Sequence, residues 1–473
     1  MMACSRFRAG EETLVSTLIQ PKKASVNKMY VYLVSLVAAV GGFLFGYDLA
    51  IISGAMIFLK KEFALNPTQL GFATASALIG CMLGSVVAAW LGDRLGRKKT
   101  LVIAAALFGA GAIGTALPND MLWFYIFRVL GGLGVGLASV VSPMYIAEIA
   151  PARMRGCLVT INQLAIVTGL LCSVIVAYVL SFSGAWRWMF ASNCAPVVLL
   201  LIGLAFVPES PRWMVQKGRK PEALDVLTAI DGPEHAEVEM SAISESLAFE
   251  EGTYRDLVQP GMRVALFIAC ALAILQQISG VSILLWYAPI IFQKAGFRSA
   301  SDAILQNLIV QVWNLVCTIA ALYLVDRVGR RFLLLLGTAG MTVGLVLMGL
   351  FFHLNLSGLH VLVTMFVAVG AYVMSLGPLA WLIMSEIFPT RLRGKAMGVA
   401  TLCLWISCFV VAQYFPVMVA WFEKSYGSGA GVFWVYAGVC VLAFLFVLRM
   451  VPETKGRSLE EIGASWTKKR VVE

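Results

Sequence analysis

One carboxylate, Asp48, stands in a stretch from Met29 to Leu59 that is otherwise free of charge. An acid near the middle of a membrane-crossing helix costs about 3 kcal/mol on insertion scales, so it is kept only where something compensates it. A cation, Arg128, lies inside another apolar run that opens near Met121. Asp48 is 19 residues beyond Met29, about 28 Å at 1.5 Å per helical residue. Arg128 is seven residues beyond Met121, about 10 Å into its own run. If the two runs cross in opposite directions, both side chains reach similar depth and can pair. Such a pair has two uses. It can tie two helices together, or it can handle a proton, since a buried carboxyl separated from its cation favours the neutral form.

Further charges recur in a pattern. The loop "GDRLGRKK" (Gly92 to Lys99) returns as "VDRVGRR" (Val325 to Arg331), and "AEIAPARMRG" (Ala147 to Gly156) returns as "SEIFPTRLRG" (Ser385 to Gly394). Asp93 and Asp326 are 233 residues apart, Glu148 and Glu386 238. Two motifs with nearly one offset indicate two homologous halves, the organisation of secondary transporters that hold their site between the halves near the midplane. Arg97, Glu148, Arg155 and Glu209 in the first half, with Arg330, Glu386, Arg393 and Glu453 in the second, set opposite charges at one end of the helices.

The elements that must position these groups are legible from hydropathy. The chain of 473 residues is 60% hydrophobic and 13% charged, where an ordinary soluble domain is about 25% charged. Apolar runs open near Met29, Leu70, Thr100, Met121, Leu158, Trp186, Val264, Asp302, Phe332, His360, Ala396 and Gly431, each long enough to cross a bilayer. The fold class expected is an all-α membrane protein of about 12 transmembrane helices in two pseudo-symmetric six-helix halves. Residues 1–28 form an N-tail, 29–207 the first half, 208–262 a helical linker, 263–451 the second half and 452–473 a C-tail. The linker contains "KPEALDVLTAI", with Leu224, Leu227 and Ile230 on one helical face.

All but seven of the 36 lysines and arginines fall in segments on one side of this topology. The exceptions are Lys60, Lys61, Arg187, Lys294, Arg298 and Lys424 on the other side and Arg128 within a span. This positive-inside bias puts both tails and the linker in the cytoplasm, and it accounts for the net charge of +10 without nucleic acid. The N-tail has no short apolar core before a small-residue cleavage site, so the first span is expected to be retained. Ten cysteines lie mostly within spans and never as CxxC, so they read as small packing residues and not as metal ligands. No GxxxxGK[ST] loop is present for an ATP-driven engine. "GGLGVG" (Gly131 to Gly136) sits inside an apolar helix, where Gly132 and Gly136, like Gly80 and Gly84, read as close helix-packing positions.

With "GGFLFGYD" (Gly41 to Asp48), the two DR-G-R loops, Arg128 with its glycines, "PESPRW" (Pro208 to Trp213), "QQISG" (Gln276 to Gly280), "GPLAW" (Gly377 to Trp381) and "PETKGRSLEEI" (Pro452 to Ile462), the sequence resembles the sugar porter family of the major facilitator superfamily. The resemblance implies a sugar site built largely from the second half, at Gln163, Gln276, Gln277, Asn314 and Trp381. Amides both donate to and accept from hydroxyls, and an indole offers a face to a sugar ring. Two positions depart from the family pattern: Ser282 stands where an amide is usual, and Leu404 precedes Trp405 where another amide is usual. The resemblance also implies that the eight charges at the helix ends pair across the halves when the cytoplasmic side is closed, acting as a gate. Proton-coupled members keep an acid at the place of Asp48 together with the arginine of the fourth span.

The function expected is therefore secondary active transport of a pentose, hexose or polyol by proton symport in the cell membrane. The proton is the coupling ion and no cofactor is expected. The expected partners are the sugar, protons and lipid, with the protein a monomer. A passive facilitator with a static Asp48–Arg128 pair is the alternative. A sugar sensor is disfavoured by the short tails, and an enzyme by the lack of any nucleophile–base set.

Overall fold

A backbone in hydrocarbon must satisfy its own hydrogen bonds, so apolar runs of this length can only become helices. The computed structural model describes residues 27–453, apart from 152, 249–252, 261 and 357. The tails, with "KGRSLEEI" of the last motif, lie outside the described residues. Among the described residues, twelve helical spans are long and apolar enough to cross a membrane. The first six are α1 (Lys28–Glu62), α2 (Pro67–Leu95), α3 (Arg97–Ala116), α4 (Met121–Ile149), α5 (Arg155–Ser181) and the pair α6 (Trp186–Ala191) and α7 (Cys194–Phe206). The linker holds α8 (Pro211–Gln216), α9 (Lys220–Asp231), α10 (Pro233–Ala248) and a 3-10 turn at Tyr254–Val258. The last six are α11 (Met262–Ile278) with α12 (Val281–Lys294), α13 (Ala300–Val328), α14 (Arg330–His353), α15 (Leu359–Val373) with α16 (Leu376–Glu386), α17 (Thr390–Tyr426) and α18 (Ala430–Met450).

The packing repeats as the sequence does. In the first half α1 packs on α5, α2 on α4, and α3 on α6 and α7; in the second, α11 packs on α17, α13 on α15 and α14 on α18. The halves meet through α2 with α17, α5 with α13, and α1 with α12. Within the first half α2 and α4 approach closely at their glycines. A Cβ on Gly132 would lie 2.0 Å from the Ala77 carbonyl oxygen, and one on Gly80 2.1 Å from that of Val129. Only a residue without a side chain fits there, which is the small-residue packing expected from sequence.

Two spans of the second half are interrupted. Between α11 and α12, Gly280 takes a left-handed conformation (φ +77°), and a Cβ there would also strike the Tyr436 ring. Between α15 and α16 the helix breaks at Met374 and Ser375. Such breaks free backbone polar groups, which are tolerated at membrane depth only where protein or a cavity satisfies them.

The linker has its own small core. Trp213, Met214, Val215, Ala223 and Leu227 pack with Ala236 and Ile243. Ile230, the other buried residue of the amphipathic face, accepts through its carbonyl from the Asn27 amide at the start of α1 (3.0 Å).

Candidate functional site: a buried ion pair and an amide cluster

α1 and α4 run in opposite directions, and the depth estimate from sequence holds. Arg128 Nη1 donates to Asp48 Oδ2 at 3.1 Å and Oδ1 at 3.2 Å, and both residues are buried. The carboxylate has a second donor that sequence reading missed: Asn193 Nδ2 reaches Oδ1 at 3.2 Å. Asn193 lies between the two short helices of the sixth span, where the break turns its amide inward, and Phe190 from the same turn covers the guanidinium at 5.6 Å. Arg128 Nε and Nη2 and Asn193 Oδ1 are buried without a partner among the described residues. The signal that could have found Asn193 is its position: a buried amide in "FASNCAP" within an apolar run needs a partner.

The sugar-site residues expected from the resemblance lie on α5, α11, α12, α13 and α16. Gln276 is buried on α11, and its Nε2 donates to the Leu376 and Gly377 carbonyls in the first turn of α16, just past the α15–α16 break. Its donors thus hold a broken helix, and only Oε1, buried without a described partner, remains for a ligand. Gln277 is buried beside it, and Trp381 stands partly exposed on α16, beyond the same break. Ser282 donates to the Tyr372 hydroxyl at 2.8 Å, so its proton is engaged within the protein. Asn314, buried on α13, donates to Gln311 Oε1 at 3.0 Å. Gln163 is exposed on α5, which faces α13 across the halves. Trp405, next to Leu404, is buried with its indole N–H unpaired among the described residues and its ring 6.0 Å from that of Phe45 on α1.

In this conformation the described ion pairs among the helix-end charges form within each half or with the linker. Arg97 pairs with Glu148 at 2.9 Å and with Asp93 at 3.1 Å, all within the first half. Glu386 pairs with Arg330 at 3.6 Å within the second. Arg155 reaches the linker at Glu239 (3.9 Å), and Arg393 keeps Nε and Nη2 buried without a described partner. Glu209 and Glu453 cap helices. α3 opens on Gly96 followed by "RKK", three cations at the positive end of a helix dipole, and the glycine has no side chain to cap it. Glu209 takes that place, accepting from the amides of Arg97 (2.8 Å) and Lys98 (3.0 Å). Glu453 does the same at α14, accepting from Arg330 and Arg331, each at 3.1 Å. Glu209→Ala is expected to cost about 1–2 kcal/mol, the loss of a cap and a dipole partner, with Glu209→Gln milder. Thermal unfolding in detergent checks this, and equal midpoints for all three proteins would exclude the cap.

The reason the charges do not cross is visible in the packing. Hydrogen bonds that join the halves gather at the end opposite these basic loops: Asn307 to Ser53 (3.1 Å), Ser181 to Ser301 (3.1 Å) and Gln413 to the Thr68 carbonyl (3.0 Å). At the basic end, the space beside Gly156 on α5 and beside Gly394 and Gly398 on α17 is empty. Hydrogen bonds across the halves are thus described at one end, and at the other the acids and bases take partners on their own side or in the linker.

Known proteins show the same architecture. Residues 34–466 match the family described as "Sugar (and other) transporter". The chain is 40% identical to the D-xylose-proton symporter of Escherichia coli (strain K12) over 93% of this chain and 96% of that protein. It is 38% identical to the arabinose-proton symporter of Bacillus subtilis (strain 168), over 95% and 97%. Among solved structures, the inward-open xylose transporter of E. coli superposes with a TM-score of 0.81 at 37% identity, covering 92% of this chain and 100% of that one. The E. coli proton:xylose symporter bound to 6-bromo-6-deoxy-D-glucose gives 0.76 at 38%, covering 93% and 100%. With twelve spans, repeated halves and a match over nearly the whole chain, this protein belongs to the sugar porter family of the major facilitator superfamily.

Proposed function

We propose that this chain is a proton-coupled symporter that takes up a neutral monosaccharide by alternating access. The observation that carries the reading is the buried Asp48–Arg128 pair in a chain so similar to named proton symporters for xylose and arabinose. The positive-inside bias assigns the basic end, both tails and the linker to the cytoplasm of a cell whose plasma membrane holds the protein as a monomer. The conformation described is then open toward the cytoplasm. Gln163, Gln276, Gln277, Asn314 and Trp381 bind the sugar, and the charges at the basic end pair across the halves once that end closes. No cofactor takes part.

Energetics favour this use of the pair. One proton moving down about 150 mV releases roughly 3.4 kcal/mol, enough for about 300-fold accumulation of a neutral sugar. A passive facilitator is the second reading, favoured by the confinement of Asp48, Arg128 and Asn193 to one half, where they could form a static brace. Uptake of labelled D-xylose, L-arabinose and D-galactose by reconstituted vesicles separates the two. Accumulation above the outside concentration under an imposed proton gradient is expected for at least one sugar. Equilibration that ignores the gradient would establish the facilitator.

A further inference from the structure

α13 carries more buried amide than the site described so far uses. Asn307, Gln311, Asn314 and Thr318 follow at intervals of four, three and four residues, so they share one helical face, and all four are buried. Buried amides in a membrane helix are costly unless paired or functional. This face looks toward the first half: α13 packs on α5, and Asn307 Nδ2 donates to Ser53 on α1. Asn307 Oδ1 is buried without a described partner.

Gln311 has a particular relation to Asn314. Its Oε1 accepts the Asn314 Nδ2 proton at 3.0 Å, and Thr318 holds the backbone carbonyl of Asn314 at 2.8 Å. One of the two Asn314 Nδ2 protons is thereby engaged and the amide is oriented, which leaves Oδ1 and the second proton for a ligand. Gln311 itself retains Nε2, a donor. Two positions of the site lack the amide usual in the family: Leu404 has none to offer, and the Ser282 hydroxyl donates to Tyr372.

We propose that Gln311 is a specificity-determining residue of the sugar site, orienting the Asn314 amide so that its Oδ1 is free to accept and placing its own amide donor beside it. The pair presents acceptor and donor to two hydroxyls of one neutral sugar, and so replaces on α13 the hydrogen-bonding capacity absent at Ser282 and Leu404. The inference rests on the reading of the chain as a sugar transporter, but not on its proton coupling.

The test is counterflow in reconstituted vesicles without a proton gradient, with labelled D-xylose and a competing panel of unlabelled L-arabinose, D-galactose, D-glucose and monodeoxy sugars. Gln311→Ala is expected to change the ratios of half-inhibitory concentrations across the panel by about fivefold, the loss of one net hydrogen bond. The largest change should fall on sugars that retain both hydroxyls, and the smallest on the deoxy sugar lacking the one that is read. Gln311→Asn, too short to reach Asn314 in the same way, should shift the ratios in the same sense and serves if the alanine variant is not recovered folded. A purely structural role lowers the maximal rate and leaves the ratios alone. Unmoved ratios with active wild-type protein would overturn this inference only, whereas wild-type protein inert toward every sugar would overturn the transport reading with it.

Discussion

Asp48→Asn is expected to abolish uphill accumulation of sugar while sparing substrate binding and downhill exchange. Asp48 accepts from Arg128 and Asn193 in the conformation described. On the proton-symport reading it is the group that carries the proton. Asparagine keeps the size and cannot titrate, so it uncouples the cycle from the gradient. It also leaves Arg128 as an unpaired buried cation, and breaking a buried pair in this way costs about 3–5 kcal/mol. Asp48→Asn with Arg128→Gln therefore serves as the companion variant. The measurement is sugar-induced alkalinisation outside energised cells. Concentration of sugar against its gradient, with an alkalinisation of normal size, by Asp48→Asn would make Asp48 a structural acid.

The second large effect is expected from Gly132→Leu, which should prevent recovery of folded protein. A Cβ alone would stand 2.0 Å from the Ala77 carbonyl oxygen, and backbone cannot yield as a flexible side chain can. α2 and α4 would have to part along their length, a cost of about 3 kcal/mol or more. Gly438→Ala on α18 is the control, because nothing lies within 4 Å of a Cβ there. Size-exclusion profiles in detergent should show folded protein for the control and loss of the monodisperse peak for Gly132→Leu. A normal peak for both would mean that α2 and α4 do not pack as described.

Several features are legible in the sequence because they depend on length and period alone. An apolar run of bilayer length has one structural solution, so the spans follow from hydropathy. A fixed rise per residue turns the positions of Asp48 and Arg128 into depths, so their pairing follows from arithmetic. Glycines at a spacing of four mark a helix face without side chains, so the α2–α4 contact follows as well.

What the tertiary structure alone decided are choices among partners far apart in sequence. Asn193 joins Asp48 from 145 residues away, and Glu209 caps α3 from 112 residues beyond Arg97. Gln276 gives its donors to a broken helix 100 residues on, and no local pattern says where that break falls against α11. The helix-end charges show the limit most clearly. Arg97, Arg155, Glu148 and Glu386 could each satisfy several partners, since ion pairing is long-ranged and tolerant of geometry. Which pairs form in this conformation is a property of how two packed halves rest against each other, with side-chain contacts such as Ser53 with Asn307 at the opposite end.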